Sequence, residues 1–330
     1  MIDVESIEVA VAAILPSIES HRRGAEQPFI LGLSGLQGSG KSTWAAAIAR
    51  HLTARHQLIT RTISLDDLYL DHDDLAALRE SHPENKLFHT RGQPGTHDEA
   101  LAQRFFTQVL ATGSANYLTG EFVAWPAYDK SLHQGQGGRV PKEHWERVSA
   151  SERLDVLIFE GWCLGFQPLS ETQVAEKWRQ ARALDLEHTQ GPKPNTTNRG
   201  EEQADRPITT LGNHELDDLL LINDNLRRYC DTFTGPWRFN SFIHLSTDDL
   251  RRVYDWRLDQ EAALKAQGRP GMSDGEVFGF VKGYMPAYEL YLERLQEERL
   301  FEQDEALVGL KKHVKVILDG QRKVISIETL

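Results

Sequence analysis

Cysteine is scarce: Cys163 and Cys230 are the only two in 330 residues. Such a pair offers no disulfide framework and no zinc spacing, and points to reduced, buried thiols of a cytoplasmic protein. No apolar run approaches the ~18 residues of a membrane span. The first residues carry Asp3, Glu5 and Glu8 where a secretory leader has positive charge. Ile7, Val11, Ile14 and Ile18 instead fall at helical spacing and predict an amphipathic helix. Asn195-Thr196-Thr197 is then read as a chance sequon rather than a glycosylation site. Positive charge is also short. Lys and Arg total 37 against 49 Asp and Glu, a net charge of -12, which argues against a nucleic-acid partner. The 13 histidines form no His-Glu-x-x-His stretch and no cluster with cysteine, so no structural metal site is expected. A nucleophile elbow, a catalytic cysteine setting and a guanine-reading Asn-Lys-x-Asp stretch are likewise missing.

What is present is ordinary globular composition, 40% hydrophobic and 26% charged. Short apolar runs alternate with helix-forming stretches. Phe29–Leu33, Leu58–Leu65, Val156–Phe159 and Phe242–Leu245 read as strands. Strands of this length separated by helices predict an α/β fold, a doubly wound parallel sheet with helices on both faces. Val314–Leu318 and Val324–Ile327, joined across Asp319-Gly320, read as a C-terminal β-hairpin at about 314–327. Leu186–Pro207 is polar, carries prolines and has no period. It reads as a flexible insertion within one domain spanning 1–330. Gln134–Val140 is a glycine-rich loop, and no internal repeat is found.

One stretch carries specific chemistry. Gly35-Leu36-Gln37-Gly38-Ser39-Gly40-Lys41-Ser42, followed by Thr43, fits the P-loop (Walker A) pattern G-x-x-x-x-G-K-[ST] in full. It follows a strand and opens a helix, the context that the pattern requires. Glycines let backbone N–H groups approach phosphate oxygens, Lys41 reaches the terminal phosphates, and the Ser42 hydroxyl suits Mg²⁺. A chance match in a chain of this length has odds on the order of 0.01 from average residue frequencies. A nucleotide triphosphate, ATP, and Mg²⁺ are the implied ligands.

Two acidic positions follow. Asp66 and Asp67 stand at the end of the second strand, on the rim where open parallel sheets bind ligands. Asp66 is read as the base that takes a proton from a substrate hydroxyl, with Asp67 in support; capping of the next helix is the plainer alternative. Glu160 ends the third strand as a Walker-B acid does, and is read as orienting a magnesium-bound water. Asp155, at the opposite end of that strand, is read as structural. Arg251, Arg252 and Arg257 follow Ser246-Thr247-Asp248, an expected helix start. Phosphoryl transfer needs cations over the leaving phosphate, so at least one arginine, first Arg257, is expected to act. Trp162, Phe166, Trp237, Trp256 and Tyr288 could stack a base, but each is expected in the core.

Taken together, these segments resemble the D-glycerate 3-kinase family, within the larger group of uridine, pantothenate and phosphoribulose kinases. GLQGSGKST and SLDDLYL are shared across that larger group. More specific are RGQPGTHD at Arg91–Asp98, FEGWCLGF at Phe159–Phe166, VYDWRLDQE at Val253–Glu261, and GMSDGEV with YMPAY between Gly271 and Tyr288. The resemblance runs from the P-loop to about Tyr291. It implies ATP and Mg²⁺, a small hydroxylated acceptor, and one doubly wound domain with a helical lid. It implies that Asp66 is the general base and Arg257 a lid arginine. It also puts Asp67, Tyr69, His97, Asp98 and Tyr128 at the acceptor. Read bare, Arg91–Asp98 is only a loop with Thr96 or Asp98 as helix cap. Within the family picture Arg91 would clamp the carboxylate of an acid such as glycerate. The polar insertion has no counterpart in the small kinases, and Gln134–Val140 is rich in glycine for a substrate wall. A nucleoside, a pantothenate-like acid or a sugar keeps the same chemistry with another acceptor. A nucleotide-dependent switch would require little beyond the P-loop and mobile loops.

Overall fold

The computed structural model describes residues 3–113, 121–190, 208–268, 271–301 and 311–330. The insertion expected at about 186–207 lies outside the described residues, apart from the helical backbone of 186–190.

The chain enters through α1, Val4–Gly24, capped by the Asp3 carboxylate. Ile7, Val11, Ile14 and Ile18 are all buried along one stripe, as their spacing predicts. β1, Phe29–Gly35, is buried at every residue, as a central strand covered on both faces must be. α2, Lys41–His56, follows the glycine-rich turn. β2 is Thr60–Ser64, after which Leu65–Leu68 form a short 3-10 turn. α3, His72–Ser81, and α4, Glu99–Leu110, come next.

β3, Phe122–Trp125, pairs with β6, Glu146–Ser149, and β4, Tyr128–Asp129, pairs with β5, Gly138–Arg139. These ribbons are absent from the sequence reading because their segments are too short to show a period. β7 is Val156–Gly161, α5 is Glu171–Gln190 and α6 is Leu216–Tyr229. β8 is Ser241–Thr247, and α7, Arg252–Ala266, α8, Asp274–Lys282, and α9, Met285–Glu297, follow it. β9, His313–Leu318, and β10, Val324–Thr329, end the chain.

The main sheet runs β10-β9-β8-β1-β7-β2. β2, β7, β1, β8 and β9 are mutually parallel, and β10 returns antiparallel along the edge. Successive strand side chains point to opposite faces. In β7, Glu160 meets Ser42 of α2 while Phe159 meets Phe106 of α4, so helices cover both faces. Ser34 sits level with Gly161, and Ser64 level with Glu160. The carboxyl ends of β1, β7 and β2 therefore form one rim, the usual ligand position of an open α/β sheet.

Two expectations need correction. Ser246 and Thr247 still belong to β8, and α7 begins only at Arg252. Arg251 stands at the cap position, and its N–H donates to the Asp249 carboxylate at 2.9 Å. Burial of the parallel strand extends it through the residues that read as a start signal. Trp237 is 55% exposed rather than in the core, whereas Trp162, Phe166, Trp256 and Tyr288 are buried.

Candidate active site

The turn after β1 is shaped by left-handed glycines, Gly38 at φ 76° and Gly40 at φ 92°. At Gly38 space also forbids a side chain. A Cβ there would lie 2.7 Å from Trp256 Cβ and 3.0 Å from the Trp256 carbonyl oxygen. Lys41 Nζ donates to the Leu36 carbonyl at 3.2 Å, across the mouth of the loop. Burial pushes the Lys41 ammonium below its ordinary value, against the attraction of Glu160 and Asp66. It is a cation short of solvent, and an anion is its natural partner.

Ser42 Oγ donates to Glu160 Oε1 at 2.7 Å, joining the start of α2 to the end of β7. Glu160 is only 5% exposed. A hydroxyl and a carboxylate this close make a hard-oxygen donor set that suits Mg²⁺.

The paired aspartates divide their work. Asp67 completes a capping box, its Oδ2 accepting from Ser64 N at 3.1 Å. Burial raises the Asp67 carboxyl to about 6. Asp66, relieved of capping, turns to Lys130, with which it forms an ion pair. Burial alone would raise its carboxyl, but the charge and hydrogen bond of Lys130, then Lys41 and His97, hold it well below the usual range. Lys130 is raised in turn, chiefly by Asp66. Its side chain is 57% exposed, with the ammonium on the Asp66 carboxylate. Ser42, Asp66, Asp67, Tyr128, Lys130 and Glu160 line one cavity of ≈ 510 Å³.

Beside the cavity, behind Tyr128, lies a cluster drawn from distant segments. Leu70 N donates to Thr96 O at 3.0 Å, and Asp98 N to Leu68 O at 2.8 Å. These bonds sew Arg91–Asp98 onto the chain just after β2. They stack Tyr69 on His97 with centroids 4.4 Å apart. His97 Nδ1 is 3.0 Å from the Tyr229 hydroxyl, and its buried Nε2 has no partner. Burial lowers the imidazole to about 3, so it is neutral at physiological pH. Tyr128 stands edge-on to Tyr69 at 5.3 Å. The glycine-rich loop folds over Tyr128, and a Cβ on Gly137 would lie 2.5 Å from its ring.

Two acceptor candidates are occupied elsewhere. Arg91 Nη1 donates to the carbonyls of Gly135 at 2.9 Å and Gln136 at 2.5 Å, which ties the glycine-rich loop down. Asp98 caps α4 through Leu101 N at 2.8 Å, and its other oxygen meets Arg139 at 2.9 Å. Arg257 pairs with Glu261 and lies over the Phe280 ring at 4.7 Å. Burial lowers its guanidinium, against the attraction of Glu261. Arg252 binds Asp248 at 2.5 Å and the Leu318 carbonyl at 2.9 Å, and Arg251 lies 3.6 Å from Asp249. Asp155, at the far end of β7, accepts from Arg22 and from Ile59 N, each at 2.9 Å. Sequence reasoning missed Lys130. It stands two residues after Tyr128.

A phosphate loop at the rim of a mostly parallel sheet, with one acid at the end of β7 and another just after β2, defines a P-loop kinase fold. No family model matches the chain. It is 34% identical over 320 residues to the uncharacterised kinase mug58 of Schizosaccharomyces pombe, covering 97% of this chain and 98% of that one. It is 32% identical over 271 residues to the chloroplastic D-glycerate 3-kinase of Arabidopsis thaliana, covering 82% of this chain and 49% of that protein. The structure of a D-glycerate 3-kinase from Cryptococcus neoformans superposes with a TM-score of 0.78 at 28% identity, covering 98% of this chain and 99% of that one. The chain belongs to the D-glycerate 3-kinase family of P-loop kinases and is an ATP-dependent phosphotransferase acting on an alcohol group.

Proposed function

We propose that this chain transfers the γ-phosphoryl group of ATP to the primary hydroxyl of D-glycerate, giving 3-phosphoglycerate. The observation that carries this reading is Asp66. It sits in one cavity with Ser42 and Glu160 of the phosphate side, ionised and paired with Lys130.

The P-loop amides and Lys41 hold the ATP phosphates. Ser42 and Glu160 would hold Mg²⁺, and the ion would supply charge neutralisation on the phosphates. Asp66 accepts the hydrogen bond of the acceptor hydroxyl and orients its oxygen at the γ-phosphorus. As the new O–P bond forms, the bond to the bridging oxygen of ADP breaks, and the hydroxyl proton passes to Asp66. A strongly basic carboxylate is not needed, because the loose transition state of phosphoryl transfer draws the proton late. Positioning and charge do most of the work.

We assign the acceptor's carboxylate to Lys130 rather than to Arg91. Lys130 lines the cavity, whereas Arg91 is committed to the glycine-rich loop. Tyr69, Tyr128 and neutral His97 form the wall, and Asp98 keeps that wall in place. Arg257 supplies positive charge toward the leaving phosphate. The names of the relatives support glycerate as the first acceptor to try. Both cysteines are free and buried, which suits a cytoplasmic setting.

The test is product analysis with ATP and a panel of hydroxy acids, sugars and nucleosides. The expected result is one phosphoglycerate per ADP with D-glycerate. Strong turnover of another acceptor, with none of glycerate, would remove glycerate and keep the kinase. ADP and free phosphate without a phosphorylated acceptor would point to a switch.

A further inference from the structure

The C-terminal hairpin has no part in the mechanism above, yet it touches the phosphate loop. Its turn is longer than Asp319-Gly320. Asp319 N donates to Lys323 O at 2.9 Å, and the Asp319 carboxylate accepts from Gln321 N and Lys323 N at 2.8 Å. The left-handed residue is not Gly320 but Arg322, at φ 63°. A side chain at such a φ is uncommon and marks a position held by its surroundings.

From there the guanidinium reaches three groups. Nε donates to the Gly38 carbonyl at 2.7 Å, Nη2 to the Trp256 carbonyl at 2.8 Å, and Nη1 to Asp259 Oδ2 at 3.0 Å. Trp256 answers by donating Nε1 to the Gly320 carbonyl at 2.8 Å. Turn, phosphate loop and the first turns of α7 are thus one knot. The five donors of arginine in a fixed fork suit such a three-way contact, and a lysine cannot reproduce it.

The Gly38 contact matters most. A carbonyl and the following N–H share one plane and point in opposite directions. With the Gly38 carbonyl fixed on Arg322, the N–H of Ser39 turns into the loop, where it meets the Leu36 carbonyl at 3.1 Å. Glycine is the residue whose peptide flips most readily. A flipped Gly38 peptide would break that turn bond and aim a carbonyl at the phosphates.

We propose that Arg322 is a positioning residue for ATP, locking the Gly38–Ser39 peptide in the phosphate-binding orientation and registering α7 against the loop. This rests on the reading of Gly35–Ser42 as the phosphate cradle. The test is calorimetric titration of the full chain with ATP in the absence of acceptor. Arg322→Ala is expected to weaken the ATP Kd about tenfold, the size of one charge-assisted hydrogen bond. The KM for the acceptor stays within about twofold, because Arg322 does not face the acceptor wall. Arg322→Lys recovers only part of the loss. Val316→Ala, buried in β9 two strands over from β1, supplies a matched fall in thermal stability and leaves the ATP Kd within about twofold. Should Arg322→Ala fail to fold, Arg322→Lys and Arg322→Gln carry the comparison, with about a threefold loss or more expected in each. Wild-type affinity in the folded Arg322 variants overturns the proposal. So does an equal loss of ATP affinity in Val316→Ala. A wild-type chain that binds no ATP would overturn the phosphate-cradle reading itself, a separate failure.

Discussion

The phosphate side proposed above comes from one unbroken stretch, Gly35–Ser42, and a single acid, Glu160, one strand away. The acceptor side proposed above is gathered from Tyr128 and Lys130, which line the cavity, and from Tyr69 and His97 stacked behind Tyr128, residues that share no local motif. The first side binds groups common to every nucleotide and does so largely with backbone, which a short glycine pattern encodes. The second must fit one small molecule. It does so with side chains that only tertiary contacts bring together, such as the bonds from Leu70 to Thr96 and from Asp98 to Leu68. Damage to the two sides should therefore look different.

The largest effect common to every acceptor is expected on the phosphate side. Lys41→Ala removes the one buried cation of the loop and should lower kcat by about 10²–10³-fold, whichever acceptor is used, as for loss of one preorganised transition-state donor. Steady-state kinetics on several acceptors checks this. A loss confined to one acceptor would blur the distinction between the sides.

Lys130→Ala should act on the acceptor side. The KM for D-glycerate should rise by about 10- to 100-fold, the size of a charge-assisted hydrogen bond, while the ATP Kd changes little. The pH profile adds a second signature. Lys130 helps hold the Asp66 carboxyl below its ordinary value, so the wild-type base stays ionised well into acid. Without Lys130, burial dominates and the carboxyl rises. The acid limb of kcat/KM should then move to higher pH. An unmoved limb would mean that Lys130 does not set the state of the base.

Asp98→Ala should be the mildest in chemistry and act through stability. It removes an N-cap worth about 1 kcal/mol and leaves Arg139 without its carboxylate. Thermal denaturation should show the loss, with kcat reduced only a few-fold. A collapse of acceptor KM with unchanged stability would return Asp98 to direct contact.

The same contrast sorts what could be read from sequence. The main strands were legible because buried parallel strands are apolar runs, and α1 because its stripe has a clear period. The start of α7 was misplaced because Ser246-Thr247-Asp248 has the chemistry of a cap, and only pairing with β9 shows that β8 continues through Thr247. The short ribbons of β3–β6 lack enough residues to display alternation. Arg91 looked like a free cation until the glycine-rich loop folded onto it. Lys130 was invisible as a site residue because a lysine in a polar segment is usually solvated, and its partner Asp66 is far along the chain. The Gly38–Arg322 contact spans nearly the whole chain and leaves no local signal at all.

The central claim is that Asp66 serves the acceptor and not the nucleotide. It is tested most directly by measuring ATP binding and glycerate phosphorylation together in Asp66→Asn. The account predicts an ATP Kd within about threefold of wild type and a kcat lower by about 10²–10⁴-fold, the contribution of a positioned general base. A near-normal kcat, or a loss of activity explained entirely by lost ATP binding, would contradict it.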